Sequence, residues 1–375
     1  MELGDRLAGK RVVIVAGSGG VGKTTTSAAL AMGLAARGQR VAVVTIDPAK
    51  RLATSLGLEV LDNEPRLVDP SRFAGHGVEM QGELWAMMLD AKRTFDDLIE
   101  RLSPDAKTRD EVLSNRIYQE LSGAVAGSQE FTAIAKLYEL DREGGFDVLV
   151  LDTPPSRNAL DFLDAPDRLT GFLEGRALRV FLTPGGLAAK VMGRGTSVVF
   201  GVLGRVTGVD LLNDLSTFFR ALGGLLDGFR ERARGVKKLL ADPATTFLIV
   251  TSPEREPVEE AIFFRGKLRE ARMPFGGLIV NRVHTLPEGM QAGGADEIAD
   301  ELADALGAKL AGKVAATVRD AELLADRDAA AIARLGREVD DPDPVVIPEL
   351  DDDVHDVDGL ALVHAHLTRS IDGAA

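Results

Sequence analysis

The run Gly17-Ser18-Gly19-Gly20-Val21-Gly22-Lys23-Thr24-Thr25 constrains the fold more than any other stretch of this chain. It fits G-x-x-x-x-G-K-S/T, a pattern that carries meaning only between a strand and a helix. Both flanks fit. Arg11 to Ala16 is an apolar run of strand length, and Thr26 to Ala35 is alanine-rich and reads as a helix. Glycines let the backbone curl so that successive N–H groups face phosphate oxygens, and the helix N-terminus adds partial positive charge. In such a loop Lys23 reaches the β- and γ-phosphates and the Thr24 hydroxyl ligates Mg²⁺. A plain glycine turn is the other reading, and four glycines with a lysine and threonines at this spacing argue against it.

Composition narrows the partners. The chain has 375 residues, 45% hydrophobic and 27% charged, which is enough for one large domain or two smaller ones. A net charge of −14 argues against general nucleic-acid or anionic-membrane binding. There is no cysteine, so disulfides, thiolate metal sites and cysteine catalysis are excluded. Met1 to Lys10 has no apolar signal-like core, and no uncharged apolar run reaches membrane-spanning length. The expectation is a soluble, cytoplasmic chain, with peripheral membrane attachment left open.

Further strands are expected at Arg40–Ile46, Glu83–Asp90, Phe146–Leu151, Thr246–Thr251, Gly276–Asn281 and Val345–Pro348. Helices are expected at Lys92–Leu102, Arg109–Leu121, from about 130 to Leu140, Glu254–Ala271, 294–308 and Val357–Ser370; residues 59–80 read as mixed and loop-like. The fold class is α/β: a P-loop NTPase with a doubly wound, mostly parallel sheet and an inserted helical subdomain. Residues 1–166 and 241–375 form the expected core, and 167–240, apolar and glycine-studded, form the subdomain. The helices of 92–121 are open to either assignment. Asp47-Pro48-Ala49 sits at the end of the second strand, where open parallel sheets bind ligands. Asp152 closes the apolar strand before Thr153-Pro154-Pro155, a Walker B arrangement that sets a carboxylate beside the Mg²⁺ shell. Turn or cap roles remain the plain alternatives for Asp47 and Asp152.

Taken with Asn281 and Pro348-Glu349-Leu350, these motifs resemble the arsenite-pump and tail-anchored-protein-targeting ATPases. That family lies in the deviant-Walker P-loop class that also holds the Min and Par ATPases. The run from Asp152 to Leu163 is similar to the family's D-T-A-P-T-G-H-T-L-R-F-L. The resemblance implies ATP and Mg²⁺ as cofactors. By position it implies that Asp47 orients or activates the attacking water, and that Gly17 to Thr25 hold phosphates, with Lys23 also acting in catalysis. It implies too that Thr24, and Asp152 through a water, serve the metal. Asn281 would bond adenine, with Pro348 and Leu350 flanking the base; a strand-end cap is the plainer role for Asn281. It further implies a dimer whose nucleotide state controls an apolar surface for a protein client.

Three departures qualify the resemblance. Ser18 stands where the class carries its signature lysine, which in the family reaches the partner's nucleotide across the dimer. The expectation is therefore a heterodimer with a related subunit that retains the lysine, in preference to a homodimer. Without cysteine, arsenite binding and the intersubunit zinc site are not expected. Ser156-Arg157-Asn158-Ala159 replaces the family's Thr-Gly-His-Thr, so the second switch is expected to move differently. Two alternatives stay open: a slowly hydrolysing regulatory subunit, and a Min/Par-like positioning ATPase. The C-terminus lacks the basic amphipathic helix expected of the latter.

Overall fold

The computed structural model describes residues 3–46, 51–116, 118–119, 129–154, 223, 225–286 and 295–368. A short helix α1 (Leu3–Arg6) leads into β1 (Val12–Ala16), the glycine loop and α2 (Lys23–Ala36). Then come β2 (Arg40–Thr45), α3 (Arg51–Ser55), β3 (Arg66–Leu67), β4 (Glu83–Met88), α4 (Ala91–Leu102) and α5 (Ala106–Leu113). Helix α6 (Gln129–Glu143) precedes β5 (Val148–Asp152), and α7 (Leu226–Leu240) precedes β6 (Thr245–Thr251). The chain continues through α8 (Arg255–Glu270), β7 (Phe275–Val283), α9 (Ala295–Leu306), α10 (Ala308–Val339), β8 (Val345–Pro348) and α11 (Val357–Thr368).

Among the described residues the strands form one sheet in the order β3-β4-β2-β5-β1-β6-β7-β8. Every pairing is parallel except that of β3 with β4 at the edge. Parallel sheets bury both faces, so their strands are apolar throughout, and each strand divides its side chains between two cores. Val12 and Ile14 join one core with Ala42, Leu149, Phe247 and Leu278. Val13 and Val15 join the other with Val41, Val150, Leu248 and Ile279. Helices α4 to α8 and α10 cover the first face, and α1, α2, α3 and α11 the second. Strand β1 lies centrally between β5 and β6, so its loop opens at the carboxyl edge where chain order reverses.

The expected strands are present, and the doubly wound α/β expectation holds. Three local readings change. The loop-like stretch 59–80 contains the two-residue strand β3, too short to leave a periodic signal. The helix expected over Arg109–Leu121 starts earlier and stops at Leu113. Asp105 caps its start, accepting the Thr108 N–H at 2.7 Å, and a new turn begins at Asn115, whose carbonyl accepts the Gln119 N–H at 3.0 Å. Residues 309–339, unassigned from sequence, belong to α10, which is 32 residues and about 48 Å long. Of the stretch 167–240, the described part is residue 223 and 225–240; Phe229, Val236 and Leu240 of α7 belong to the first core. Its remainder, with Asp47-Pro48-Ala49 and 155–159, lies outside the described residues.

Candidate nucleotide site

Strand alternation sets the polar centre. Asp152 pairs in register with Val15 of β1 and with Thr45 of β2. Val15, Val43 and Val150 face the α2 side, so Thr45 and Asp152, two residues beyond the last two, face that side as well. There the first turn of α2 brings Thr24 to them. The Thr24 hydroxyl donates to Asp152 Oδ2 at 2.7 Å, and the Thr45 hydroxyl donates to the same oxygen at 2.7 Å. Asp152 is 1% exposed and Thr45 2%. Beside them the Thr153 hydroxyl donates to the Val15 carbonyl at 2.9 Å, closing the strand end.

The glycine loop has the backbone that the motif requires. Gly17, Gly20 and Gly22 have φ of 156°, 82° and 95°, where only glycine is at ease. A Cβ on Gly17 would lie 2.0 Å from the Val250 carbonyl oxygen, and one on Gly22 2.3 Å from Asn281 Nδ2. Lys23, 6% exposed, folds back across the loop, and its ammonium donates to the Ser18 carbonyl at 2.8 Å. The first turn of α2 carries no acidic residue, and Gly22 as N-cap offers no side-chain acceptor to its N–H groups. The Ser18 hydroxyl is buried with no hydrogen-bond partner. A buried cation, a dipole end without an acidic cap and an orphaned hydroxyl together fit an anionic ligand such as a polyphosphate. The paired hydroxyl and carboxylate of Thr24 and Asp152 are hard oxygen donors, which fit Mg²⁺.

Other candidate residues gather at the same edge. The Asn281 amide, near the end of β7, donates to the Val21 carbonyl at 2.9 Å and so braces the glycine loop. Pro348 pairs in register with Val283, and the Glu349 N–H donates to the Val283 carbonyl at 3.0 Å. Leu350 packs on the second core. Asn281, Pro348 and Leu350 therefore sit at the carboxyl ends of adjacent strands, β7 and β8, on the edge that carries the loop. Asp47 lies outside the described residues, one residue past Ile46. Sequence reasoning missed Thr45. Its signal was available: a polar β-branched residue near the end of an otherwise apolar strand, two positions before Asp47.

The family model described as Anion-transporting ATPase (ArsA ATPase) matches residues 10–297. The chain belongs to that family. The match takes in the glycine loop, Asp47, Asp152 and Asn281, and ends before Pro348 and Leu350. A protein of Aquifex aeolicus named as an arsenical pump-driving ATPase is 31% identical over 67% of this chain and 58% of its own length. ATPase ARSA1 of Chlamydomonas reinhardtii is 29% identical over 73% of this chain and 35% of its own. ATPase get3 of Aspergillus terreus is 33% identical over 42% of this chain and 43% of its own. The similarity thus spans roughly a third to three fifths of these three relatives. Within this ArsA-family chain no described helix is long and apolar enough to cross a membrane.

Proposed function

We propose that the chain is a dimeric, Mg²⁺-dependent ATPase whose nucleotide state controls an apolar client- or partner-binding surface. The observation that carries this reading is the convergence of Lys23, Thr24 and Asp152 around the glycine loop, with both hydroxyl contacts to Asp152 at 2.7 Å. Backbone N–H groups from Gly17 to Thr25 and the Lys23 ammonium hold the phosphates and offset the charge that develops during transfer. Thr24 and, through water, Asp152 would hold Mg²⁺, which would supply charge neutralisation at the phosphates. Asp47 takes the proton of the attacking water and keeps it in line. Asn281 contacts adenine from the strand end that already braces the loop, and Pro348 and Leu350 close over the base. Lys23 and Asp47 are the catalytic residues of this reading.

Ser18 favours a second form of the same reading, in which the chain turns ATP over slowly and acts in a heterodimer with a lysine-bearing related subunit. Ser18 puts a neutral hydroxyl at the sequence position where the class carries its partner-directed lysine, so a symmetric pair would lack both charges. Arsenite does not enter the reading, although the Aquifex relative is named for an arsenical pump, because this chain has no cysteine to bind it. The absence of cysteine likewise leaves no thiolates for a zinc bridge, and the charge of −14 leaves nucleic acid out. We place the protein in the cytoplasm.

The test is ATP turnover and mass in solution for the purified chain, alone and with a lysine-bearing relative. Asp47→Asn is expected to lower turnover about 10²- to 10⁴-fold while nucleotide still binds. Turnover that persists in Asp47→Asn rules out its role as base. A lone chain that is a strict homodimer with brisk hydrolysis rules out the heterodimer form.

A further inference from the structure

Asp152 is a buried carboxylate on which two hydroxyls from different elements converge. One belongs to Thr24, already read as a metal ligand. The other, Thr45, has no assigned part. The geometry points to Thr45 as the positioning residue of the metal site, holding the Asp152 carboxylate so that the Thr24 hydroxyl presents its lone pairs toward a divalent cation. This rests on the reading of Thr24 and Asp152 as the metal-side residues.

The argument starts from register. Thr45 and Asp152 are partners across β2 and β5, so their side chains leave the sheet side by side on the same face. Both are almost fully buried, where solvent does little to orient a carboxylate. A carboxylate held by one donor can still turn about its last bond. Two O–H donors converging on Oδ2, each at 2.7 Å, hold that oxygen between β2 and α2 and set the plane of the group. A hydroxyl has one hydrogen and two lone pairs. With its hydrogen committed to Asp152, Thr24 turns its lone pairs away from the carboxylate, which is the orientation a ligand needs. Partners of this outer kind commonly govern metal affinity as strongly as some direct ligands do. Thr45 acts through Asp152 and touches no reacting atom. It is also two residues before Asp47, so the strand that fixes the metal carboxylate is the one that runs on to the proposed base.

The test uses the full chain with Thr45→Val, which keeps the β-branched shape and removes the hydroxyl, and Thr45→Ser, which keeps the hydroxyl. Mn²⁺ in place of Mg²⁺ is titrated against nucleotide-loaded protein and followed by electron paramagnetic resonance. Binding of a fluorescent ATP analogue is measured in EDTA. Thr45→Val is expected to bind Mn²⁺ about ten-fold more weakly or worse. Its metal-free nucleotide affinity should be unchanged, and Thr45→Ser should regain wild-type Mn²⁺ affinity. If Thr45→Val unfolds, Thr45→Ala against Thr45→Ser gives the same comparison. Wild-type Mn²⁺ affinity without the hydroxyl, or equal loss in Thr45→Ser, overturns the inference. Asp152→Asn is measured alongside. If it too leaves Mn²⁺ binding untouched, the metal-side reading fails, which is distinct from a failure confined to Thr45.

Discussion

At the scale of single residues, the site is built by removing side chains as much as by placing them. Gly22 is the N-cap of α2 at φ 95°, and a Cβ there would lie 2.3 Å from the Asn281 amide nitrogen. Alanine at this position carries a left-handed penalty of about 1–3 kcal/mol and displaces either the loop or the amide that braces it. The expected outcome for Gly22→Ala is a fall of at least ten-fold in ATP affinity by calorimetry. Its loss of stability without nucleotide should be no more than that penalty. Unchanged affinity would show that the brace between Asn281 and Val21 does not shape the loop. The convergence of Lys23, Thr24 and Asp152 at one sheet edge was legible from sequence, because each belongs to a pattern with fixed offsets from a strand or helix end. Thr45 was not, because its part depends on the register between β2 and β5, which no local spacing encodes.

At the scale of elements, the parallel strands were legible because they are continuous apolar runs bounded by polar residues or glycine. The helix α10 was not. Its buried positions include Ala311, Ala315 and Val318 and then Asp328, so small residues and one charge interrupt the stripe that periodicity needs. Alanine-rich composition favours helix, but α9 and α10 meet at the single residue Gly307, and no longer break separates them. Asp328 explains why so long an element stays fixed. It is 0% exposed; one oxygen accepts the His284 backbone N–H at 2.9 Å and meets the ring Nδ1 at 2.7 Å, and the other takes Arg327 at 2.8 Å. Burial pushes this carboxyl up, but the hydrogen bonds from His284 and Arg327 outweigh it and hold it below the usual carboxylate range. The carboxylate thus pins α10 to the end of β7, and His284 Nε2 reaches Glu349 at 3.1 Å, between the Pro348 and Leu350 proposed to flank adenine. Asp328→Ala leaves the partly buried His284 N–H without its acceptor. The expected loss is about 2 kcal/mol in denaturant unfolding with an unchanged m-value. A loss below 0.5 kcal/mol, roughly the scatter of surface substitutions, would mean that the ion cluster is incidental.

At the scale of the whole molecule, the sheet separates two layers, and among the described residues the layer containing α2 has a contact that titrates in mild acid. The C-terminal helix α11 closes over α2 at Gly33, where a Cβ would lie 2.1 Å from the His364 ring. Burial, and then the nearby Arg37 charge, push the His364 imidazole below its ordinary value of 6.5. The sign follows directly. The unfolded chain takes up a proton near 6.5 that the folded chain refuses until a lower pH, so protonation favours unfolding as pH falls below about 6.5. Asp328 works in the same direction in a lower window, because its depressed carboxyl contributes stability above about pH 4 that is lost on further acidification. Mild acid should therefore loosen α11 from α2 before it reaches the opposite layer. Thermal unfolding at pH 7.5 and 5.5 is expected to show a larger drop in Tm for the wild type than for His364→Gln, which cannot take up that proton. Saturating Mg²⁺ and ATP should raise Tm at both pH values, because a ligand at the N-terminus of α2 binds only the folded chain. The gap between wild type and variant should persist, since in the proposed reading the nucleotide meets the start of α2, whereas His364 lies against its last turns. Equal drops in the two proteins would place the acid-sensitive contact elsewhere than between α2 and α11.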